Sequence, residues 1–311
     1  MWSAWTVAIV LIAACAGYVV LVAPAIAHGA PVWPYLAAVP LIYLGVLAVF
    51  VAAYFVIAWI YRAPRPPHAR IGPTETLRLV AGEYWTVAGD MFRILLYRWW
   101  VPDPAPQPAR LPVLLVHGVL CNAGVWSTFV RWLRRAGIES VYAPSYGPPL
   151  GSIDLFADQV HDCVERMCAE TGAEQVFVAT HSMGGLVALA YLRRHGASRV
   201  RRLVAIAAPF RGSVLARCFF GTSLSQLRPD NAWLAALDVA APRASPPIVS
   251  IWSRHDSMVA PQTSSELPGA KNIALTGIGH NALLHDAGVF DLVLEEYRRA
   301  LQACATSVSP A

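Results

Sequence analysis

Gln175-Val176-Phe177-Val178-Ala179-Thr180-His181-Ser182-Met183-Gly184-Gly185-Leu186-Val187-Ala188-Leu189-Ala190-Tyr191-Leu192 is the stretch that decides the fold of this 311-residue chain. Its first third is a short apolar, β-branched run, the composition of a strand covered on both faces. Its last third is apolar and helix-forming, and predicts a helix over Met183–His195. Between them sits T-x-S-x-G, which requires a tight strand-to-helix turn that lifts Ser182 above the sheet edge. Small residues are wanted two places before and two places after the serine, because the turn brings backbone and helix close together. Gly184 meets that demand, whereas Thr180 puts a β-branched side chain where glycine is usual.

Working outward, short β-like runs alternate with amphipathic helices from Leu111 onward, the pattern of a parallel sheet with helices on both faces. The strands are expected at Val113–Val116, Ser140–Ala143, Gln175–Thr180, Arg202–Ile206, Ile248–Trp252 and Asn272–Leu275. Helices are expected at Ala123–Ala136, Asp154–Glu170, Met183–His195 and Asp286–Cys304. Leu215 to Pro247 separates two strands and is expected to be a cap insertion, at about 214–247. It carries Phe219, Phe220, Leu224, Leu227, Trp233 and Leu234 without a long clean period.

Four further segments join the elbow in a resemblance. They are His117-Gly118 after the first strand, Ala208-Pro209-Phe210-Arg211-Gly212-Ser213, Ser253-Arg254-His255-Asp256-Ser257-Met258-Val259, and Gly279-His280-Asn281. Together they resemble the bacterial lipases and esterases of the α/β-hydrolase superfamily over about residues 111–304. The resemblance implies an α/β-hydrolase fold acting as a carboxylic ester hydrolase through an acyl-enzyme, without cofactor or metal. It implies Ser182 as nucleophile, His280 as general base and Asp256 as the acid that orients the imidazole. It implies backbone N–H groups of Val119 and Met183 as the oxyanion hole, with His117 and His181 structural. Phe219, Phe220, Leu224 and Trp233 are expected to line the substrate pocket as a lid or acyl-chain wall, or else to pack the cap. Asp230 and Asp238 are alternative acids, although they lie in an irregular stretch. His285 is expected to begin or cap the last helix. The same residues would serve an acyltransferase or thioesterase, and a non-catalytic membrane scaffold is the reading from a different class. The dipeptides His255-Asp256 and His285-Asp286 would suit a metal phosphohydrolase only with further ligands, which are not apparent.

The N-terminal fifth differs in kind. No Asp, Glu, Lys or Arg occurs from Met1 to Tyr61, whereas a soluble domain places charge on its surface throughout. Two transmembrane helices are therefore expected in 1–61, at about 5–26 and 35–61. The first, at roughly 1.5 Å per residue, is long enough for a bilayer core. Trp2, Trp5, Trp33, Tyr35, Trp59 and Tyr61 stand where the interfaces would be. The connecting loop holds no Lys or Arg, while Arg62, Arg65 and Arg70 follow the second helix. That bias puts the remainder of the chain in the cytoplasm, anchored to the inner membrane, even if Ala25-Ile26-Ala27 were a cleavage site. Residues 62–110 read as a proline-rich linker and an amphipathic juxtamembrane helix, with Leu77, Val80, Tyr84, Val87, Met91 and Leu95 in helical period. That helix suits either the bilayer surface or the catalytic domain. Residues 305–311 read as a tail.

Composition narrows the partners. The net charge is +5 and Lys271 is the only lysine. No basic stripe interleaved with aromatics is present, which excludes a nucleic-acid binder as the natural reading. A lipid or other acyl ester and the bilayer itself are the expected partners, with no obligate protein partner implied. Six scattered cysteines without CxxC spacing are expected to be free and mostly buried thiols.

Overall fold

A sheet buried on both faces calls for apolar strands, and β1 (Val113–Val116), buried at every position, is wholly apolar, whereas the edge strand Lys271–Leu275 is mostly exposed and begins with Lys271 and Asn272. The computed structural model describes residues 2–237 and 246–306. Two long helices come first, α1 (Trp2–Ala27) and α2 (Trp33–Ile60), joined by a tight turn. They are followed by α3 (Pro73–Leu95) and the short α4 (Tyr97–Trp100). Then come β1 (Val113–Val116), α5 (Ser127–Arg135), β2 (Val141–Tyr142), α6 (Ile153–Thr171), β3 (Val176–His181), α7 (Met183–His195) and β4 (Val200–Ile206). After β4 lie α8 (Thr222–Gln226) and α9 (Ala232–Leu237), then β5 (Ile248–Ser253), β6 (Lys271–Leu275) and α10 (Ala287–Thr306). The six strands form one parallel sheet in the order β2-β1-β3-β4-β5-β6. All six expected strands and the four expected catalytic-region helices are present, with the first helix divided into a 3-10 turn at Ala123–Trp126 and α5.

Alternation along the strands builds two cores. Leu114, Val116, Val178, Leu203 and Ala205 pack against Phe156, Val160 and Met167 of α6 and Leu186 and Leu189 of α7. Val113, Leu115, Phe177, Ala179, Val204 and Ile251 point the other way, onto Phe129 and Leu133 of α5 and Val293 and Tyr297 of α10. β1 is the turning point of the strand order, since the chain leaves it toward β2 and returns past it to β3. Crevices at the carboxyl ends of such strands are where open α/β sheets bind ligands.

The apolar hairpin behaves unlike this core. Trp5, Ile12, Val20, Leu21, Trp33, Leu36, Leu41, Val49 and Trp59 are exposed. Both helices are long and apolar enough to cross a bilayer. Their distal ends both touch the remainder of the chain. Ser3 Oγ donates to the Cys121 carbonyl at 2.7 Å, and Ala58 packs with Leu215 and Ala260.

Helix α3 uses two faces. Leu79, Glu83, Ala88, Asp90 and Ile94 are buried. The stripe expected to be its working face is turned elsewhere: Tyr84 Oη donates to the Leu44 carbonyl at 3.0 Å, and Tyr43 Oη of α2 to the Ala88 carbonyl at 3.3 Å. The exposed residues between Leu79 and Leu96 are Gly82, Trp85, Phe92 and Leu96, none of them charged. No disulfide joins the six cysteines, and of these only Cys163 and Cys168 are buried, fewer than expected. Asp238 and residues 307–311 of the expected tail lie outside the described residues.

Candidate active site

The turn after β3 is built as the sequence requires. Ser182 adopts φ 56 and ψ −129, a conformation costly for a residue with a side chain, and stands half-exposed at the N-terminus of α7. Its backbone N–H donates to the Ile206 carbonyl at 2.8 Å, tying the turn to β4. A Cβ on Gly184 would fall 2.4 Å from the Val116 carbonyl oxygen, so the glycine is a steric necessity. Thr180 is fully buried in place of the usual glycine. Gly185 is needed for a different neighbour: a Cβ there would lie 2.4 Å from Ala208 Cβ, while Thr180 Oγ1 would be at an ordinary contact distance of 3.5 Å.

His117-Gly118 lies directly beside the serine. A Cβ on Gly118 would approach Ser182 Cβ to 3.0 Å and Oγ to 3.5 Å. Loop β1 is braced by Tyr146, which stacks on the His117 ring at 3.9 Å between centroids and donates its hydroxyl to the His117 carbonyl. Burial lowers the His117 pKa to about 4, so it is neutral. Val119 follows, half-buried against the α6–α7 core, and Met183 is the first residue of α7. A first-turn helical N–H has no intrahelical acceptor, so Met183 presents a donor beside Ser182.

His280 and Asp256 meet in the adjacent loops. His280 Nδ1 donates to Asp256 Oδ2 at 2.8 Å, with Oδ1 at 3.0 Å, and both residues are 2% exposed. That hydrogen bond leaves Nε2 as the basic nitrogen of the neutral ring. Burial opposes protonation of His280, but the Asp256 charge and hydrogen bond together with the Glu83 charge outweigh it and raise the pKa above 6.5. Asp256 Oδ1 also accepts from the N–H groups of Met258 and Val259, each at 2.7 Å, which fixes the carboxylate in plane. His181, the residue before Ser182, donates from Nε2 to the His280 carbonyl at 3.1 Å. Burial, then the neighbouring His280, holds the His181 pKa well below 6.5, so it acts as a neutral brace. The segment Pro209–Ser213 supports the acid loop, with Ser213 Oγ donating to the Met258 carbonyl at 2.6 Å.

One participant has no counterpart among the expected residues. Glu83 of α3 is 2% exposed and reaches into the loops that carry Asp256 and His280. Its carboxylate accepts from Ser257 Oγ at 2.9 Å, Asn281 N at 3.0 Å, Asn281 Nδ2 at 2.9 Å and Ala282 N at 3.0 Å. Gly279 gives it space, since a Cβ there would lie 2.3 Å from Glu83 Oε2. The available signal was a pair of acids, Glu83 and Asp90, seven residues apart and therefore on one helix face, flanking the apolar stripe.

Other expected residues fall farther away. Asp230 is exposed in a turn and makes no contact with His280. His285 lies before α10 but does not cap it; Asp286 Oδ1 accepts from Val289 N at 2.9 Å instead. The His285 ring joins Thr128 of α5 to Asp90 of α3. Leu224 is buried in the same core as Met183. Phe219 is 37% and Phe220 85% exposed on the segment before α8. Trp233 is not brought to Ser182: its indole donates to Asp154 Oδ2 at 2.7 Å and faces Ala190, Arg193 and Arg194, on the C-terminal half of α7.

The sequence model of the Alpha/beta hydrolase family matches residues 113–304. Among solved structures, Aspergillus fumigatus lipase B is similar in fold at TM-score 0.54 and 22% identity. The match covers 60% of this chain and 52% of the lipase, so the chain spans about half of its length. Bacillus licheniformis lipase BlEst2 in its mature form is similar at TM-score 0.53 and 15% identity, covering 65% of this chain and 96% of the other. The parallel sheet, the strained serine turn after its third strand and the family match over most of the chain agree: this protein belongs to the alpha/beta hydrolase family.

Proposed function

We propose that the protein is a membrane-anchored serine ester hydrolase that acts on acyl esters of lipids at the cytoplasmic face of the membrane. The observation that carries the reading is the strained Ser182 at a helix N-terminus, stitched through His181 to a buried His280–Asp256 pair. In this reaction Ser182 Oγ attacks the ester carbonyl carbon while His280 Nε2 takes the hydroxyl proton. The carbonyl π electrons move onto oxygen, which is stabilised by the N–H groups of Val119 and Met183. Collapse breaks the bond to the alcohol, which leaves with the proton from His280. Water then attacks the acyl-enzyme by the same route, releasing the carboxylic acid and restoring Ser182. Asp256 holds the Nδ1–H tautomer and stabilises the imidazolium that forms in each half.

The membrane part of the reading is supported by the exposed, uncharged α1–α2 hairpin and by the outer stripe of α3, which beyond Glu75 and Arg78 exposes no charged residue up to Leu96. Because α3 also delivers Glu83 to the His280 loop, that stripe would set the catalytic loops one helix away from the bilayer. Contacts of Ser3 and Ala58 with the catalytic region support a two-span hairpin with both ends on one side. Among the expected pocket residues, Phe219, Phe220 and Leu224 remain candidates for the acyl chain, while the placement of Trp233 favours cap packing.

The test is covalent labelling of the detergent-purified chain by a fluorophosphonate together with turnover of a medium-chain ester. Wild type is expected to label and turn over, and Ser182→Ala to do neither, with at least roughly 10³-fold less activity. Labelling of Ser182→Ala would remove the assignment. For orientation, an alkaline phosphatase fused after residue 306 is expected to be inactive in a bacterial host, and an active fusion would place the domain outside the cytoplasm.

A further inference from the structure

A cavity of about 910 Å³ opens where the end of α2, the proline-rich linker, the start of α3 and the acid loop converge. It lies within the range of about 300–1,000 Å³ typical of small-molecule sites. Its lining mixes two chemistries: Phe55, Val56 and Trp59 of α2 and Leu79 of α3 are apolar, and Arg62, Arg65 and Arg70 bring three guanidiniums.

Asp256 also lines the cavity, but its carboxylate is taken by His280 and by the N–H groups of Met258 and Val259, so it is not paired with the guanidiniums. Arg62 lies over the Trp59 ring at 4.5 Å and donates to the Trp59 carbonyl. Arg65 Nε donates to the Arg254 carbonyl at 2.8 Å, which leaves its two terminal nitrogens available. Among the described residues none of the three pairs with a carboxylate. Burial and then the nearby Arg62 lower the pKa of Arg65, a like-charge cost that a bound anion would relieve. His255 supplies an independent observation. It is 3% exposed and lines the same cavity. Its Nδ1 accepts from Gly277 N at 3.1 Å, so the ring proton is on Nε2, and that buried donor has no partner. A buried donor left unpaired costs about 1–3 kcal/mol.

We propose that this cavity binds the phosphate group of a membrane amphiphile, held by Arg62, Arg65, Arg70 and the His255 Nε2–H, with its hydrocarbon chain along Phe55, Val56 and Trp59. A phosphate presents several oxygens to guanidinium forks arriving from different directions, which one carboxylate cannot do. The apolar wall continues the exposed apolar surface of α2, so the chain of the ligand would leave the cavity along that helix. The site lies behind the His255–Asp256 loop and is argued from its own geometry, not from the esterase reading.

The full chain in dodecyl maltoside would be titrated with dodecyl phosphate, which carries no carboxylic ester, and separately with inorganic phosphate. Saturable binding of dodecyl phosphate is expected, with inorganic phosphate weaker by about a hundredfold or more. Arg65→Gln and Arg70→Gln should each weaken dodecyl phosphate about tenfold, the loss of one charge-assisted contact. The double variant Arg131→Gln/Arg135→Gln, on exposed positions of α5, should stay within about twofold. Arg70 is exposed and its guanidinium makes no hydrogen bond or ion pair among the described residues, so its variant decides the matter if Arg65→Gln fails to fold. Equal weakening by the α5 variant, or no saturation, would overturn the site. Equally tight inorganic phosphate would overturn the amphiphile in favour of a soluble anion. Ser182→Ala protein should give the wild-type isotherm, which separates failure here from failure of the hydrolase reading.

Discussion

The loop after β5 and helix α3 each bring one buried carboxylate to the His280 loop, and they do so in opposite ways. Asp256 pairs with the imidazole itself and spends its remaining lone pairs on N–H groups of its own loop. Glu83 does not touch the imidazole. It collects four donors from Ser257, Asn281 and Ala282, and so clamps the backbone on either side of the pair. Asp256 orients a ring, whereas Glu83 positions the loops that hold the ring and adds a charge that helps raise the His280 pKa. The acid of the pair comes from the sheet, and the clamp comes from the helix that also carries the hairpin's contacts.

The largest expected effect that probes this division is Asp256→Asn. Loss of the tautomer-fixing carboxylate should lower kcat by about 10⁴-fold, while the protein still folds. If Asp256→Asn stays within tenfold of wild type and a Glu83 variant is worse, the two roles are exchanged.

Glu83→Gln should act more mildly and in a different observable. The amide turns a donor toward groups that are already donors, so kcat/KM should fall by roughly tenfold, the cost of about one unsatisfied buried contact. His280 must be neutral to act as base, so activity falls as pH drops through its raised pKa. Removing the Glu83 charge lowers that pKa, and the acidic limb of the kcat/KM profile should move to lower pH. A limb that stays in place would limit Glu83 to a purely mechanical brace.

The smallest expected effect tests the contact that lets Glu83 in. Gly279→Ala places a Cβ 2.3 Å from Glu83 Oε2. Such crowding should cost about 1–3 kcal/mol and lower Tm measurably. In a Glu83→Gly background, which removes the carboxylate and also the Cβ that would lie 2.9 Å away, the same substitution should cost much less, and the double-mutant cycle measures the coupling. Additive losses would mean that Gly279 is required for its backbone and not for this contact.

Residues of the elbow were legible because the demand is local. A strand that must stop, a serine with positive φ and glycines packed on backbone oxygens leave their mark within ten residues. The pairing of Asp256 with His280 was legible through chain order and flanking residues, since each follows the strand that positions it. Helix α3 was legible as a helix but not as a partner. Its apolar stripe was expected to choose between bilayer and domain, yet Tyr84 and its neighbours face α2 while the acids face the active site. Periodicity states which residues share a face and is silent about what that face meets. The same limit applies to Trp233, an aromatic residue in the cap whose indole proved to seek Asp154.

By itself the sequence determined the parallel sheet and the uncharged N-terminal hairpin, and it singled out Ser182, Asp256 and His280, the residues proposed as the catalytic set. These follow from composition and short-range spacing, which act before any distant contact forms. Only the tertiary structure decided that Glu83 belongs with His280, across 198 positions in the Asn281 contact. It alone gathered Arg62, Arg65 and Arg70 with His255 around one cavity. Both assemblies depend on how α2 and α3 dock beside the acid loop. That docking is settled by burial and hydrogen bonding between segments far apart in the chain, for which no local pattern is diagnostic.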